Sequence, residues 1–312
     1  MSFLYTYNIT AVINFALIGI CLIAGMLFRQ SKTLPADAHK GINAWIIYIA
    51  LPALSLKYLP HIQWSMHLLL AVLAPLIVWL GGWLYCSVYI SRSFIDKSTQ
   101  GAIKITSGLS NTGFVGFPLV MAYFGEQHLG IAVICDQMSF TLLSTAGVIV
   151  AINSSKRQVL STSVVIKKLF RFPPFLGCLA GLILPHFISL SPAEPLFDKL
   201  AATVGPLALF SMGLQLKFGG WKKNIKNISV VLIYKLLIAP LLVLCVALLL
   251  HLKGTVAQTS IFEAAMPTVL TAGVIADEYH LNPELSNQII GMGIIISFAS
   301  TALWYEVIRW LV

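Results

Sequence analysis

The sequence predicts an all-α polytopic membrane protein of ten transmembrane helices, built as two inverted five-helix repeats with broken helices four and nine. Three observations predict it. Of the 312 residues, 58% are hydrophobic and only 10% charged, where a soluble globular domain carries roughly 25% charged residues. Lys and Arg concentrate in alternate loops, as basic residues of membrane proteins gather on the cytoplasmic side. Two apolar segments at matching places in the two halves are interrupted by Pro118 and Pro267, and such paired interruptions point to a transporter's binding site.

Apolar runs of about 20 residues, the length that crosses a bilayer, fall near 9–28, 41–58, 66–90, 101–124, 128–152, 173–190, 196–216, 228–250, 256–279 and 285–311. The first lacks a basic residue ahead of it and reads as a retained span rather than a cleaved signal. The loops after spans one, three, five and seven hold Arg29, Lys32 and Lys40; Arg92, Lys97 and Lys104; Lys156, Arg157, Lys167, Lys168 and Arg171; and Lys217, Lys222, Lys223 and Lys226. The opposite side has little beyond Lys57, Lys199, Lys253 and Arg309. Odd loops are therefore expected in the cytoplasm and both termini outside; the ninth loop, 279–284, has no Lys or Arg and does not contribute. The net charge of +9 belongs to these loops, so a nucleic-acid partner is not expected. Cys21, Cys86, Cys135, Cys178 and Cys245 lie in apolar runs without a CxxC pair, which suits buried thiols rather than a disulfide framework or a metal site.

The stretch 153–172, NSSKRQVLSTSVVIKKLFRF, divides the chain into a first repeat, 1–152, and a second, 173–312. It reads either as a short basic helix on the anionic inner leaflet or as a loop that only sets topology. Across it, Gly19 to Gly25 in span one has a counterpart in Gly177-Cys178-Leu179-Ala180-Gly181 of span six. Leu51-Pro52-Ala53-Leu54 in span two is echoed by Gly205-Pro206-Leu207-Ala208-Leu209 of span seven. Five spans per half turn the second copy upside down relative to the first.

Span four carries Asn111-Thr112, Gly113, Gly116 and Pro118, and span nine FEAAMPTVLTAG around Pro267. Proline lacks a backbone donor and clashes with the preceding turn, and glycine removes side-chain packing, so both segments are expected to unwind locally. Hydrocarbon cannot satisfy the freed groups; protein or a wet cavity must. Crossed breaks would gather four half-helix ends, and half-helix N-termini favour an anion such as a carboxylate. Asn111 offers an amide donor and Thr112 a hydroxyl, and Asn111 also suits a helix cap. Asp136, beside Gln137, and Glu263 are ionisable at membrane depth, which marks them as functional candidates. Three readings stay open for them: pairing with Lys235 or a position at the cavity edge, proton coupling, or help in binding Na⁺.

No HExxH, P-loop or dinucleotide fingerprint occurs, and the seven histidines fall near span ends, so an enzyme is not expected. Transport then draws on an ion gradient or the substrate's own gradient. A ligand-binding membrane sensor without transport and an anion channel are the alternatives; no filter-like sequence favours the channel.

The run Asn111-Thr112-Gly113-Phe114-Val115-Gly116-Phe117-Pro118-Leu119, followed by Gly125 and Asp136-Gln137, resembles spans four and five of the auxin efflux carrier (PIN-like) family in its bacterial members. Ala264-Ala265-Met266-Pro267-Thr268, followed by Ala276 and Tyr279, resembles that family's span nine. The resemblance covers the whole chain in length, span plan and central linker. It implies a fold related to the bile acid sodium symporters, with spans 1, 2, 6 and 7 as a scaffold and spans 3–5 and 8–10 as a moving transport unit. It also implies crossover helices meeting at their prolines, elevator-type alternating access across the inner membrane, an organic anion substrate and a homodimer. Glu263 departs from the neutral residue usual in bacterial members. The short linker is unlike the long loop of plant members, so malonate or malate is expected rather than auxin. The substrate-binding candidates are Asn111, Thr112, Gly113, Gly116, Pro118, Met266, Pro267 and Thr268, and the coupling candidates are Asp136, Glu263 and Lys235. No cofactor, metal ligand or catalytic residue is expected, with H⁺ or Na⁺ as the alternative coupling ions.

Overall fold

The computed structural model describes residues 2–62, 65–155, 171–216 and 219–312. Most of the linker reading, over 156–170, lies outside the described residues. Among those described, the structure is helical throughout, and its one extended pairing is an isolated antiparallel bridge. Six helices are long and apolar enough to cross a membrane: Ile13–Gln30, Ala38–His61, Met66–Ser91, Glu126–Ser154, Trp221–Leu249 and Pro283–Leu311. The other apolar runs are divided. Lys97–Gly108 is separated from Phe117–Tyr123, Glu194–Ala201 from Val204–Gln215, and Thr255–Ala264 from Thr271–Glu278, while Pro173–Ile183 ends in the short 3₁₀ turn Leu184–His186.

Proline explains much of this irregularity. Of the four π-helical turns among the described residues, three, Ile46–Ala50, Thr112–Gly116 and Tyr234–Ile238, lead into an α-helix whose first turn holds a proline, Pro52, Pro118 and Pro240; the fourth, Leu143–Gly147, does not. A proline leaves the carbonyl four residues earlier without its N–H, and a widened turn accommodates the loss. For Pro240 that carbonyl is Leu236 O, which accepts from the indole Nε1 of buried Trp304 at 2.8 Å. Trp304→Phe keeps an aromatic ring but removes this donor, and is expected to cost about 1 kcal/mol, read as a lower thermal midpoint in detergent.

The chain divides into two compact units. The first comprises Met1–Gln63, Gly113–Val133 and Phe170–Leu216. Its helices pack through small residues, the means by which membrane helices approach closely. Ser2–Gln30 crosses Val204–Gln215 at Gly25 and Gly213; a Cβ on Gly213 would lie 2.3 Å from Leu22 O and 2.9 Å from Gly25 Cα. Pro173–Ile183 lies on Leu51–Tyr58, with Gly177 against Pro52 and Gly181 against Ser55 O. Side-chain bonds tie Ala38–Trp45 to Val204–Gln215 and its N-cap Thr203, Ser211 Oγ to Asn43 Oδ1 at 2.6 Å and Trp45 Nε1 to Thr203 Oγ1 at 3.0 Å.

The second unit comprises Trp64–Thr112, Ile134–Leu169 and Lys217–Val312. Lys97–Gly108 begins on an Asp96 cap, whose carboxylate accepts from Thr99 N at 3.0 Å and from Ser98 Oγ. These bonds, Ser98's foremost, hold the Asp96 carboxyl below its usual range. One core cluster gathers Trp79, Ala102, Ile105, Leu109, Leu142, Ile275 and Tyr279; another gathers Cys86, Ile103, Ile228, Leu236, Leu285 and Ile289. The interruption of span nine lies in this unit, and that of span four begins in it, at 109–112.

Candidate functional site

Lys97–Gly108 ends because Leu109 turns extended, at φ −116° and ψ 125°. Thr255–Ala264 ends just before Met266-Pro267, and the helix resumes only at Thr271. The two extended stretches lie antiparallel. Asn111 N donates to Pro267 O at 2.7 Å, Val269 N donates to Leu109 O at 3.2 Å, and Ser110 pairs with Thr268. Backbone groups that unwinding frees from one helix are thus satisfied by those freed from the other, which is how protein replaces water at membrane depth. The Thr268 hydroxyl strengthens the crossing by donating to Thr106 O at 2.7 Å, itself a carbonyl of the last turn of Lys97–Gly108. Thr268→Val is expected to cost about 1 kcal/mol of stability by leaving that carbonyl without its donor, measurable by chemical denaturation in micelles.

Polar side chains surround this crossing. Thr112 Oγ1 donates to Asp136 Oδ1 at 2.6 Å, and Gln137 Nε2 to Asp136 Oδ2 at 3.3 Å, so two neutral donors hold Asp136. Lys235, fully buried, donates to Ser110 Oγ at 2.6 Å and to Ala264 O at 3.2 Å. The π-helical turn ahead of Pro240 carries Lys235. Glu263, 2% exposed, has both carboxyl oxygens without a hydrogen-bond partner among the described residues. The charges that act on it are Asp136, of like sign, and Lys235, of opposite sign. Beside them is a cavity of ≈ 10 Å³, about the room for one water, lined by Ser110, Thr112, Cys135, Ser139, Ser260 and Glu263, among others.

Of the sequence candidates, Asn111, Thr112, Met266, Pro267, Thr268, Asp136, Glu263 and Lys235 all belong to the second unit. Asn111, Thr112, Met266 and Thr268 are buried. The backbone of Asn111 is part of the crossing, and Thr268 is committed to Thr106. Gly113, Gly116 and Pro118 belong to the first unit. The hydrogen-bonded crossing is therefore made by 109–111 with 267–269, and Pro118 lies farther along the chain, in the first turn of Phe117–Tyr123. There Pro118 lines a larger cavity of ≈ 250 Å³ within the first unit, with apolar Leu17, Ile18, Leu54, Met121 and Leu209 and polar Asn14, Lys57 and Tyr58. Lys57 meets Asp198 Oδ1 at 2.9 Å and Glu126 Oε2 at 3.5 Å at this cavity.

Sequence reasoning weighed Lys235 as a partner for Asp136 or Glu263 and gave Ser110 no role. The structure joins the two instead. Thr106, Ser139, Ser260 and Lys57 were not singled out. The available signal was that each is a polar residue within an apolar run, where unmatched polar groups are costly.

A family model described as membrane transport protein, Mem_trans, matches residues 9–305. An uncharacterized transporter of Methanothermobacter thermautotrophicus is 25% identical over 93% of this chain and 95% of its own length. A putative malonate transporter of Rhizobium meliloti is 26% identical over 91% of this chain and 92% of its own. A probable auxin efflux carrier component 9 of Oryza sativa is 29% identical over 45% of this chain and 35% of its own.

Proposed function

The chain belongs to the membrane transport protein family Mem_trans, the auxin efflux carrier-like family, and from that premise we propose that it is a secondary transporter of small organic anions. The observation that carries this reading is the pairing of 109–111 with 267–269, two interrupted helices bonded to each other amid buried polar side chains. Interrupted helices at matching places of two repeats are the recurrent way such proteins build a midplane site.

The ten-span inverted repeat belongs to this proposal and has support from packing. Span one lies on span seven through Gly25 and Gly213, and span six on span two through Gly177 and Pro52; exchanging the repeats turns one contact into the other. In the elevator reading, the unit with the crossing moves, and spans one, two, six and seven stand still and pair two copies as a homodimer. Small carboxylates are the proposed cargo. The full-length relative named a putative malonate transporter points that way. Asn111 is the proposed contact to a substrate carboxylate. Glu263 is the proposed proton carrier, because its carboxyl is buried and neither oxygen has a hydrogen-bond partner among the described residues. The membrane is the cell's inner membrane, with both termini outside.

Purified protein in liposomes, offered labelled malonate, malate and a panel of other carboxylates, tests the reading. Saturable accumulation of at least one carboxylate is the expected result. Binding without flux across the panel would make the protein a sensor, and flux that does not saturate would make it a channel.

A further inference from the structure

We infer that Lys235 is a built-in cation occupying the seat where a coupling sodium ion would be held, so that sodium does not couple to this protein. The inference rests on the transporter reading above. In broken-helix transporters, coupling cations are held by unwound carbonyls and by the C-terminal ends of half-helices, where the helix dipole is negative.

Two such ends meet here, those of Lys97–Gly108 and Thr255–Ala264. Lys235 Nζ donates to the last carbonyl of the second, Ala264 O, and to Ser110 Oγ in the break that follows the first. Both oxygens are what a hard cation would take as ligands, and both are already bound to Lys235 Nζ. The residues therefore do not fit a resident Na⁺. Another cation at these oxygens would have to displace Nζ, and the neighbouring cavity, ≈ 10 Å³, has room for about one water. The described residues gather no group of three His, Cys, Asp or Glu that would hold a metal ion elsewhere.

The seat exists in one copy. Ala239-Pro240-Leu241 in span eight repeats Ala74-Pro75-Leu76 in span three, and with these aligned Lys235 corresponds to Leu70, which is buried and apolar. Lys235 is thus a positioning residue: its Nζ ties both broken ends together.

The test compares thermal midpoints of the purified full-length protein, without substrate, in sodium chloride and in choline chloride at equal ionic strength. Wild type is expected to melt identically in both. Lys235→Ala empties the seat and is expected to melt about 2 °C or more higher in sodium than in choline, since an ion that binds only the folded state raises the midpoint. Lys235→Gln, which keeps a donor without the charge, takes its place if the alanine variant does not fold. Sodium-specific stabilisation of wild type would overturn the inference, and so would a folded, charge-free variant indifferent to sodium. Because no substrate is present, these results stand even if no carboxylate is transported, an outcome that would defeat the transporter reading alone.

Discussion

Gly213→Leu is expected to leave no folded protein. The Ser2–Gln30 and Val204–Gln215 helices meet backbone to backbone at Gly25 and Gly213, and even a Cβ there would fall 2.3 Å from Leu22 O. That neighbour is a main-chain carbonyl of a continuous helix, so it cannot swing aside as a long side chain would. The helices must separate, and the close packing lost with them is the principal attraction between membrane helices. We expect a loss of more than ~4 kcal/mol, the range that overpacking of a buried site reaches only when nothing can relax. Size-exclusion chromatography in detergent reads the outcome as aggregation or loss of the monodisperse peak. Gly205→Ala is the matched control, because a Cβ there meets nothing within 4 Å, and it is expected to behave as wild type.

Glu263→Gln is expected to remove the response of carboxylate uptake to a pH gradient while leaving the fold intact. For symport of one proton, each unit of inward gradient multiplies the accumulation ratio by about ten. Glutamine keeps the shape of the neutral acid but cannot release a proton. No bond is lost on substitution, since neither Glu263 oxygen has a partner among the described residues. The groups facing it are Lys235, Asp136 and Cys135; of these, Asp136 already has two donors and Lys235 two acceptors. Uptake by Glu263→Gln, measured across a range of external pH at fixed internal pH, should therefore be flat where wild type is steep. A slope equal to wild type would remove Glu263 from the proton path and leave Asp136 as the carrier to test.

The breaks were legible in the sequence because they are written in local chemistry. Gly113, Gly116, Pro118 and Pro267 change what the backbone can do wherever they stand, and Asn111, Thr112, Asp136 and Glu263 are conspicuous in apolar runs. How the breaks are satisfied was not legible. The bonds between Asn111 and Pro267 and between Val269 and Leu109 join opposite halves of the chain, and neither residue type prescribes the other. The proline of span four illustrates the limit: Pro118 marks an irregular segment correctly, yet the extended stretch comes earlier, at 109–111, and Pro118 itself resumes the helix. Lys235 is a second case. Its partner depends on how the turn before Pro240 rotates it, and a π-helical turn shifts that rotation in a way no regular period conveys. The small residues of span one hinted at close packing, but only the folded helices show Gly25 against Gly213 rather than against a counterpart in the sixth span.

The central claim, that the crossed breaks form the site through which an organic anion passes, is tested most directly by Asn111→Ala in the liposome assay. Its backbone N–H still reaches Pro267 O, so the crossing is kept, and uptake is compared at equal amounts of folded, monodisperse protein. Loss of saturable carboxylate uptake by that folded variant is the predicted result; uptake with the rate and saturation of wild type would contradict it.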